Sequence, residues 1–168
     1  MRLPAMLKDL NVFAANQSFA GLVTSYTRPK LALKTETWVG GGMLGEVKLS
    51  FGLEELEAES KFGGDQPALN REFGTPRIDG SLLRYVGAYQ AEDDGAVTRV
   101  EITERGRYVE IDRGDDEKAS KTESTYKHAL VYYKEVVNGR TMFEIDMLGG
   151  VFIVDGVDRW KEIREAIL

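Results

Sequence analysis

Leu53-Glu54-Glu55-Leu56-Glu57-Ala58-Glu59-Ser60-Lys61-Phe62 (LEELEAESKF) can be read in two ways, and the choice decides the fold. Its leucines, glutamates and alanine favour helix in isolation. Yet Leu56, Ala58, Ser60 and Phe62 recur at every second position, with Glu55, Glu57, Glu59 and Lys61 between them. A helix returns its apolar residues every three or four positions, a strand every two. Propensity is a weak preference that packing overrides, whereas a clean period says which face avoids water. The segment is therefore expected to be a one-sided strand, which makes the chain mainly β.

The flanking sequence repeats that period. Leu31, Leu33, Thr35 and Thr37 alternate with polar residues through 30–38, and Val47, Leu49 and Phe51 do so beyond the glycines. A polar break, Ala15-Asn16-Gln17-Ser18, suggests a hairpin between residues 11–13 and 19–26. Further strands are expected at 82–90 and 97–111. In the second of these, apolar Val100 and Ile102 take even positions but Val109 and Ile111 odd ones, which predicts a bulge near Arg105-Gly106. Residues 112–121 (DRGDDEKASK) read as a charged loop, and 122–137 as a long strand. Asn138-Gly139 suits a tight hairpin turn into 141–147, followed by a brief apolar run at 151–154.

Two helices are expected. A short one has Asp65 as its cap and Pro67 in its first turn, and stops at Gly74. A terminal amphipathic one is capped by Asp155 and places Val157, Trp160, Ile163 and Ile167 on one face. No β-α-β alternation occurs, which speaks against a nucleotide-binding α/β fold. A mainly β single domain over residues 1–168, sandwich or barrel-like, accounts for these elements.

A chain of 168 residues buries roughly 68–70% of its unfolded surface, enough for a core without disulfides or metals. There are no cysteines, hence no thiolate metal sites or cysteine nucleophiles. A net charge of −6 argues against general nucleic-acid binding, which needs a basic stripe. Residues 1–13 carry Pro4, Lys8, Asp9 and Asn11 where an export signal would be apolar, so the protein is expected to remain in the compartment of its synthesis.

The glycine cluster Trp38-Val39-Gly40-Gly41-Gly42-Met43-Leu44-Gly45 invites a phosphate-binding reading. A P-loop, however, needs a lysine and a hydroxyl residue after the last glycine, at the start of a helix. Here Glu46, Val47 and Lys48 follow on the way into a strand. The acidic runs Glu92-Asp93-Asp94 and Asp115-Asp116-Glu117 lie in loops without the ligand spacing of an EF-hand. His128 is the only histidine and lacks a nucleophile elbow to serve, so a place on the sheet surface or at a subunit contact is expected. Tyr126, Tyr132 and Tyr133 read as packing groups. No catalytic, cofactor-binding or metal-binding residues emerge, and an enzyme is not expected.

Five ordered stretches nevertheless carry a resemblance. They are Asn11-Val12-Phe13 with Ser18-Phe19-Ala20-Gly21; Pro29-Lys30-Leu31-Ala32-Leu33-Lys34-Thr35-Glu36; Gly41-Gly42-Met43; Tyr132-Tyr133-Lys134 with Asn138-Gly139 and Glu144-Ile145-Asp146; and Asp155-Gly156-Val157-Asp158. Together they resemble the P2-like major tail tube proteins of contractile-tailed phages, a family that includes R-type pyocin and other tailocin tubes. Trp38 and Val39 depart from the family's pattern, as does the more acidic loop 112–121.

The resemblance implies a structural subunit without a cofactor. Hexameric rings stack into a hollow tube, and the inner sheets of neighbours join around the lumen. The implied partners are further copies of the chain, the sheath, the baseplate and spike hub, the tape measure and the tail terminator. DNA would pass without specific binding and no stable membrane association is expected. The glycine loop, Trp38 to Gly45, is expected to contribute to contacts between subunits or rings. Acidic Glu55, Glu57, Glu59 and Glu101 are candidates to face the lumen, where negative charge would repel passing DNA. Rival readings are a type VI secretion-like tube protein, a monomeric ligand-binding β-barrel, and a hydrolase using a carboxylate pair such as Asp94 with Asp115.

Overall fold

The computed structural model describes residues 1–168 and is mainly β. In chain order the strands are β1 (Ala5–Ala14), β2 (Gln17–Ser18), β3 (Val23–Thr27), β4 (Leu33–Trp38), β5 (Val47–Leu53) and β6 (Leu56–Gly63). After a short helix α1 (Pro67–Asn70) come β7 (Ser81–Ala91), β8 (Val97–Asp112), β9 (Glu123–Val137), β10 (Arg140–Asp146), β11 (Val151–Val154), β12 (Val157–Asp158) and helix α2 (Lys161–Ala166). The decisive segment is a strand. In β6, Leu56, Ala58, Ser60 and Phe62 are buried, while the glutamates between them face outward.

Ten strands form one antiparallel sheet in the order β12-β11-β10-β9-β8-β7-β1-β2, from which β6 and β3 branch at β9. The sheet is open and does not close into a barrel. The branch arises because β9 has two different neighbours on one edge. Its first part pairs with β6 as far as Leu130, and its second part pairs with β10 from Tyr132 onward. β8 runs along the other edge of β9 past both. The branch curls over the main sheet, so that Tyr26 of β3 stacks on Tyr85 of β7 with ring centroids 4.3 Å apart. Phe19, Phe62, Leu69, Leu83, Ile102, Tyr126, Tyr133 and Ile145 fill the space between.

The predicted bulge at Arg105-Gly106 is present, but its extra residue lies on the partner strand. Arg105 pairs with Tyr132 and Gly106 with Leu130, leaving Val131 of β9 unpaired in that ladder. The carbonyl of Val131 instead accepts the Met147 amide at 2.9 Å. A side chain at position 106 would overlap the carbonyl of Ala129, so the close approach requires glycine. The phase slip within β8 itself occurs later, at exposed Val109, where Tyr108 pairs with His128 and Glu110 with Lys127. One extra residue there turns the following side chains to the opposite face.

Three local expectations need correction. The break at residues 15–18 forms a tight hairpin, with Ala15 and Asn16 at φ 49° and 60°, but its return strand is only Gln17–Ser18. β3 then crosses to β6, because Phe19 is drawn into the core against Phe62. Asp65 does not cap α1. The N-cap is Gln66, and both Asp65 carboxylate oxygens accept the Asn70 side-chain amide. Asp155 does not cap the last helix either. With φ 49° at Asp155 and 84° at Gly156, these residues make the β11–β12 turn, and Val157 belongs to a strand. α2 starts after Trp160 and buries no residue, leaving Ile163 and Ile167 exposed. It is held by Arg164, which donates to the Gly150 carbonyl at 2.7 Å and to Asp158 at 2.8 Å.

Candidate assembly surface

β4 and β5 pair only with each other, as a two-stranded sheet separate from the body. The pairing runs Trp38 to Val47, Thr37 to Lys48, Glu36 to Leu49 and Thr35 to Ser50. Directly paired residues project from the same face, so Trp38, Val47, Leu49 and Phe51 share one side of the hairpin. All four are exposed, Trp38 by 58% and Phe51 by 56%. The outer edge of each strand also has free amides and carbonyls, which makes this hairpin an arm with two unpaired edges and an apolar face. At its base the Glu54 amide donates to the Ala32 carbonyl at 2.9 Å.

The sequence-predicted loop is the tip of this arm. Trp38 ends β4, and residues 39–46 connect the strands. A turn forms where the Met43 amide donates to the Gly40 carbonyl at 3.2 Å, with Gly42 at φ 83°. Gly40 lies between the Met43 sulfur and the Trp38 indole, whereas Gly41, Gly42 and Gly45 face open space. Val39 and Met43 are exposed and Leu44 is fully so. Nothing here makes a phosphate cradle, since no helix follows and no lysine converges on the glycines. Beside the base, Leu33, Leu53, Ile145, Met147, Phe152 and Trp160 line an apolar cavity of about 350 Å³.

The candidate acidic residues fall in two places. Glu57 and Glu59 lie on the outer face of β6, opposite Ala129 and Lys127 of β9, and exposed Glu55 precedes that strand. Lys127 bonds Glu110 at 3.0 Å, and that contact, reinforced by Glu57 and Glu59, raises the pKa of its ammonium. Glu101 does not join them. It accepts from Arg84 at 3.0 Å and from Arg99 at 3.1 Å, and the Arg84 contact leads in lowering its pKa. Its charge is therefore compensated, unlike that of Glu55.

Glu92-Asp93-Asp94 forms a turn, and Asp115-Asp116-Glu117 lies in irregular chain after β8. Asp93 accepts the Leu3 amide at 3.1 Å, and Asp94 accepts the Ala96 amide at 2.9 Å. Asp94 precedes β8 and Asp115 follows it, so 16 strand residues, roughly 50 Å at about 3.3 Å each, separate the two. They cannot flank one substrate bond, which removes the carboxylate-pair hydrolase.

His128 corrects its expectation most strongly. It is 1% exposed, inside the core and not on the sheet surface, and stacks on Tyr108 with centroids 4.8 Å apart. Its Nδ1 lies 3.9 Å from Oε1 of Glu104, a fully buried carboxyl. Tyr126 and Tyr133 are buried as packing groups, but Tyr132 points to the other face and donates to Glu144 at 3.0 Å. Glu104 was legible as an anomaly, because it shares the even phase of Val100 and Ile102 on the buried side of β8. No helix is long and apolar enough to cross a membrane.

The family described as "Phage tail tube protein FII" matches residues 4–167. The chain is 34% identical to the "Tail tube protein" of Escherichia phage P2 over 170 residues, covering 99% of each chain. It is also 34% identical to the "Major tail tube protein" of Serratia phage KSP20 over 164 residues, covering 96% of this chain and 94% of that one.

Proposed function

Because the chain belongs to the phage tail tube protein FII family, we propose that it is a non-enzymatic structural subunit of the inner tube of a contractile P2-like tail. The observation that carries this reading is the arm. A body with a filled core extends a hairpin whose apolar face and both edges have no cover within the chain. Free edges and apolar strips are ordinarily blunted in a monomer, and a second copy satisfies both at once. A ligand-binding monomeric barrel is disfavoured by the open sheet.

In finer terms, the chain acts as one domain whose copies form hexameric rings, and the rings stack into a conduit within the sheath. Tip residues Trp38, Val39, Gly40, Gly41, Gly42, Met43, Leu44 and Gly45 take part in contacts between subunits or stacked rings. A contact joining two different patches can close within a ring and still repeat from ring to ring. Glu55, Glu57 and Glu59 line the lumen. Glu101 contributes less there because Arg84 and Arg99 offset it. The sheath, baseplate and spike hub, tape measure and terminator are the further partners, and the tail particle is the site of action. The conduit passes DNA in a phage and perforates an envelope in a tailocin; capsid genes beside this one distinguish the two.

Negative-stain microscopy of the purified protein, alone and with an initiating baseplate complex, tests the reading. Rings or tubes of uniform diameter are expected. Neither form at any concentration, with or without the initiator, sinks it.

A further inference from the structure

The core contains a cluster of polar groups that tube building does not use. Glu104 and His128 are both buried, with 3.9 Å between Oε1 and Nδ1, a distance longer than a hydrogen bond but close enough for strong mutual influence. Neither carboxyl oxygen and neither imidazole nitrogen has a hydrogen-bond partner within the chain. The pair spans the fork: Glu104 is paired in the ladder with Tyr133, beyond the Val131 bulge, and His128 with Tyr108, before it. One residue thus belongs to the part of the sheet shared with β10, the other to the part shared with β6.

The surroundings contain no cation free to neutralise Glu104, and one further carboxyl, that of Glu72, faces His128. Tyr26 from β3 brings an unpaired hydroxyl beside Glu104. Tyr108 of β8 covers the imidazole, and its hydroxyl is also unpaired. Tyr126 and Tyr133 flank from β9, the latter donating to Glu135 at 2.6 Å. From β7, the Tyr85 hydroxyl is bonded to Tyr89 at 2.9 Å. Arg28, beyond β3, is already engaged by Glu135 at 3.2 Å and by Tyr89 at 2.7 Å. Glu72, after α1, is the other carboxyl that bears on His128.

A lone carboxylate or a lone imidazolium is strongly disfavoured in such surroundings. Two arrangements avoid that penalty: neutral acid with neutral imidazole, or carboxylate with imidazolium. They have the same net charge and differ only in where one proton sits. We propose that Glu104 and His128 hold one proton between them as a closed couple, and that this couple makes opening of the β9 fork a proton-coupled event. Burial pushing the Glu104 carboxyl upward is consistent with the couple keeping its proton.

Free carboxylic acids and imidazoles exchange their protons near pH about 4.3 and about 6.5. Above the second value the unfolded chain has lost a proton that the folded couple keeps, so stability falls as pH rises. Below the first, the unfolded chain takes up a proton that the couple refuses, so stability falls as pH falls. Between them the couple contributes no slope. One proton of difference changes the unfolding constant about tenfold per pH unit.

The test compares denaturant unfolding of Glu72→Gln, as parent, and of Glu72→Gln with Glu104→Gln across pH 5 to 8.5; the shared substitution removes the other carboxyl facing His128, and the remaining groups cancel between the two. With neither carboxyl beside it, the double variant's buried imidazole stays neutral. Its unfolding constant is then flat above pH about 6.5 and rises about tenfold per unit below it, the reverse of the parent. Parallel profiles overturn the proposal. If Glu104→Gln does not fold, His128→Gln replaces it: the variant should lose stability about tenfold per unit between pH about 4.3 and 6.5, where the parent is flat. If neither folds, the one imidazole resonance of the parent decides. A constant protonation state from pH 5 to 8 supports the couple, and a midpoint inside that window overturns it.

Discussion

β5 and β6 follow each other with only Glu54 and Glu55 between them, and both alternate apolar with polar side chains. β6 buries Leu56, Ala58 and Phe62 to 2% exposure or less, whereas Val47, Leu49 and Phe51 of β5 remain 42–56% exposed. The same pattern therefore has two meanings. A period of two says that one face avoids water, but not which molecule covers it. In β6 the cover is the curl of the sheet, with Phe62 edge-on to Phe19 and Tyr126 at centroid distances of 5.1 and 5.5 Å. In β5 the cover is proposed to be another copy.

If that contrast is real, equivalent truncations in the two strands should differ sharply. Phe62→Ala removes a fully buried ring and should cost about 3–5 kcal/mol of subunit stability, read as a shift in the denaturation midpoint with an unchanged slope. A loss below about 1 kcal/mol would mean that the two strands are alike and that the body's core lies elsewhere.

The next effect tests the fork that lets β6 turn inward while β5 leaves. Gly106→Ala forces a Cβ into the Ala129 carbonyl across the bulge, so backbone must shift on β8 or β9. About 1–3 kcal/mol of destabilisation is expected by denaturation, because the neighbour is main chain and not a flexible side chain. Hydrogen exchange should show the loosening first in the β8 and β9 amides, with the arm amides unchanged. A smaller effect is expected for Asn138→Ala in the β9–β10 turn. Asn138 sits at φ 47°, and its side-chain oxygen accepts the Arg99 amide at 2.8 Å. Loss of both advantages should amount to about 1 kcal/mol, measurable as a lower midpoint.

How much of this could be read from the chain follows the same division. The strand identity of LEELEAESKF, its buried face and the long strand with its Asn138-Gly139 turn are matters of local period and turn chemistry, and they were legible. The β3 crossover to β6 was not, because pairing partners depend on where Phe19 finds its pocket. Asp65 and Asp155 have the residue type of caps, but the Asn70 side-chain amide takes the Asp65 carboxylate, and Asp155 lends its backbone to a turn and its carboxylate to Arg140. The arm's apolar side was only half visible. Trp38 is out of phase with Leu33, Thr35 and Thr37, and it joins Val47, Leu49 and Phe51 only through the β4–β5 register. The membership of Glu104 in a buried face was legible as phase; its meeting with His128 needed the fold.

The smallest effect on the subunit is the one that most sharpens the contrast. Leu44→Asp at the arm tip changes a side chain that touches solvent on all sides, so unfolding of the isolated subunit should move by no more than about 0.5 kcal/mol. Assembly should respond quite differently. If the tip is buried against another copy, the new carboxylate must lose its hydration without a partner, and tubes should fail to form under microscopy while the monomer stays folded. Gly41→Pro with Gly42→Pro asks the same of backbone shape, since proline cannot adopt the φ of 83° found at Gly42. Tubes that form normally from both variants would leave the arm's apolar face without an assigned cover. Tubes lost from both, with subunit stability intact, would mean that the period of β5 is satisfied between copies as that of β6 is satisfied within one.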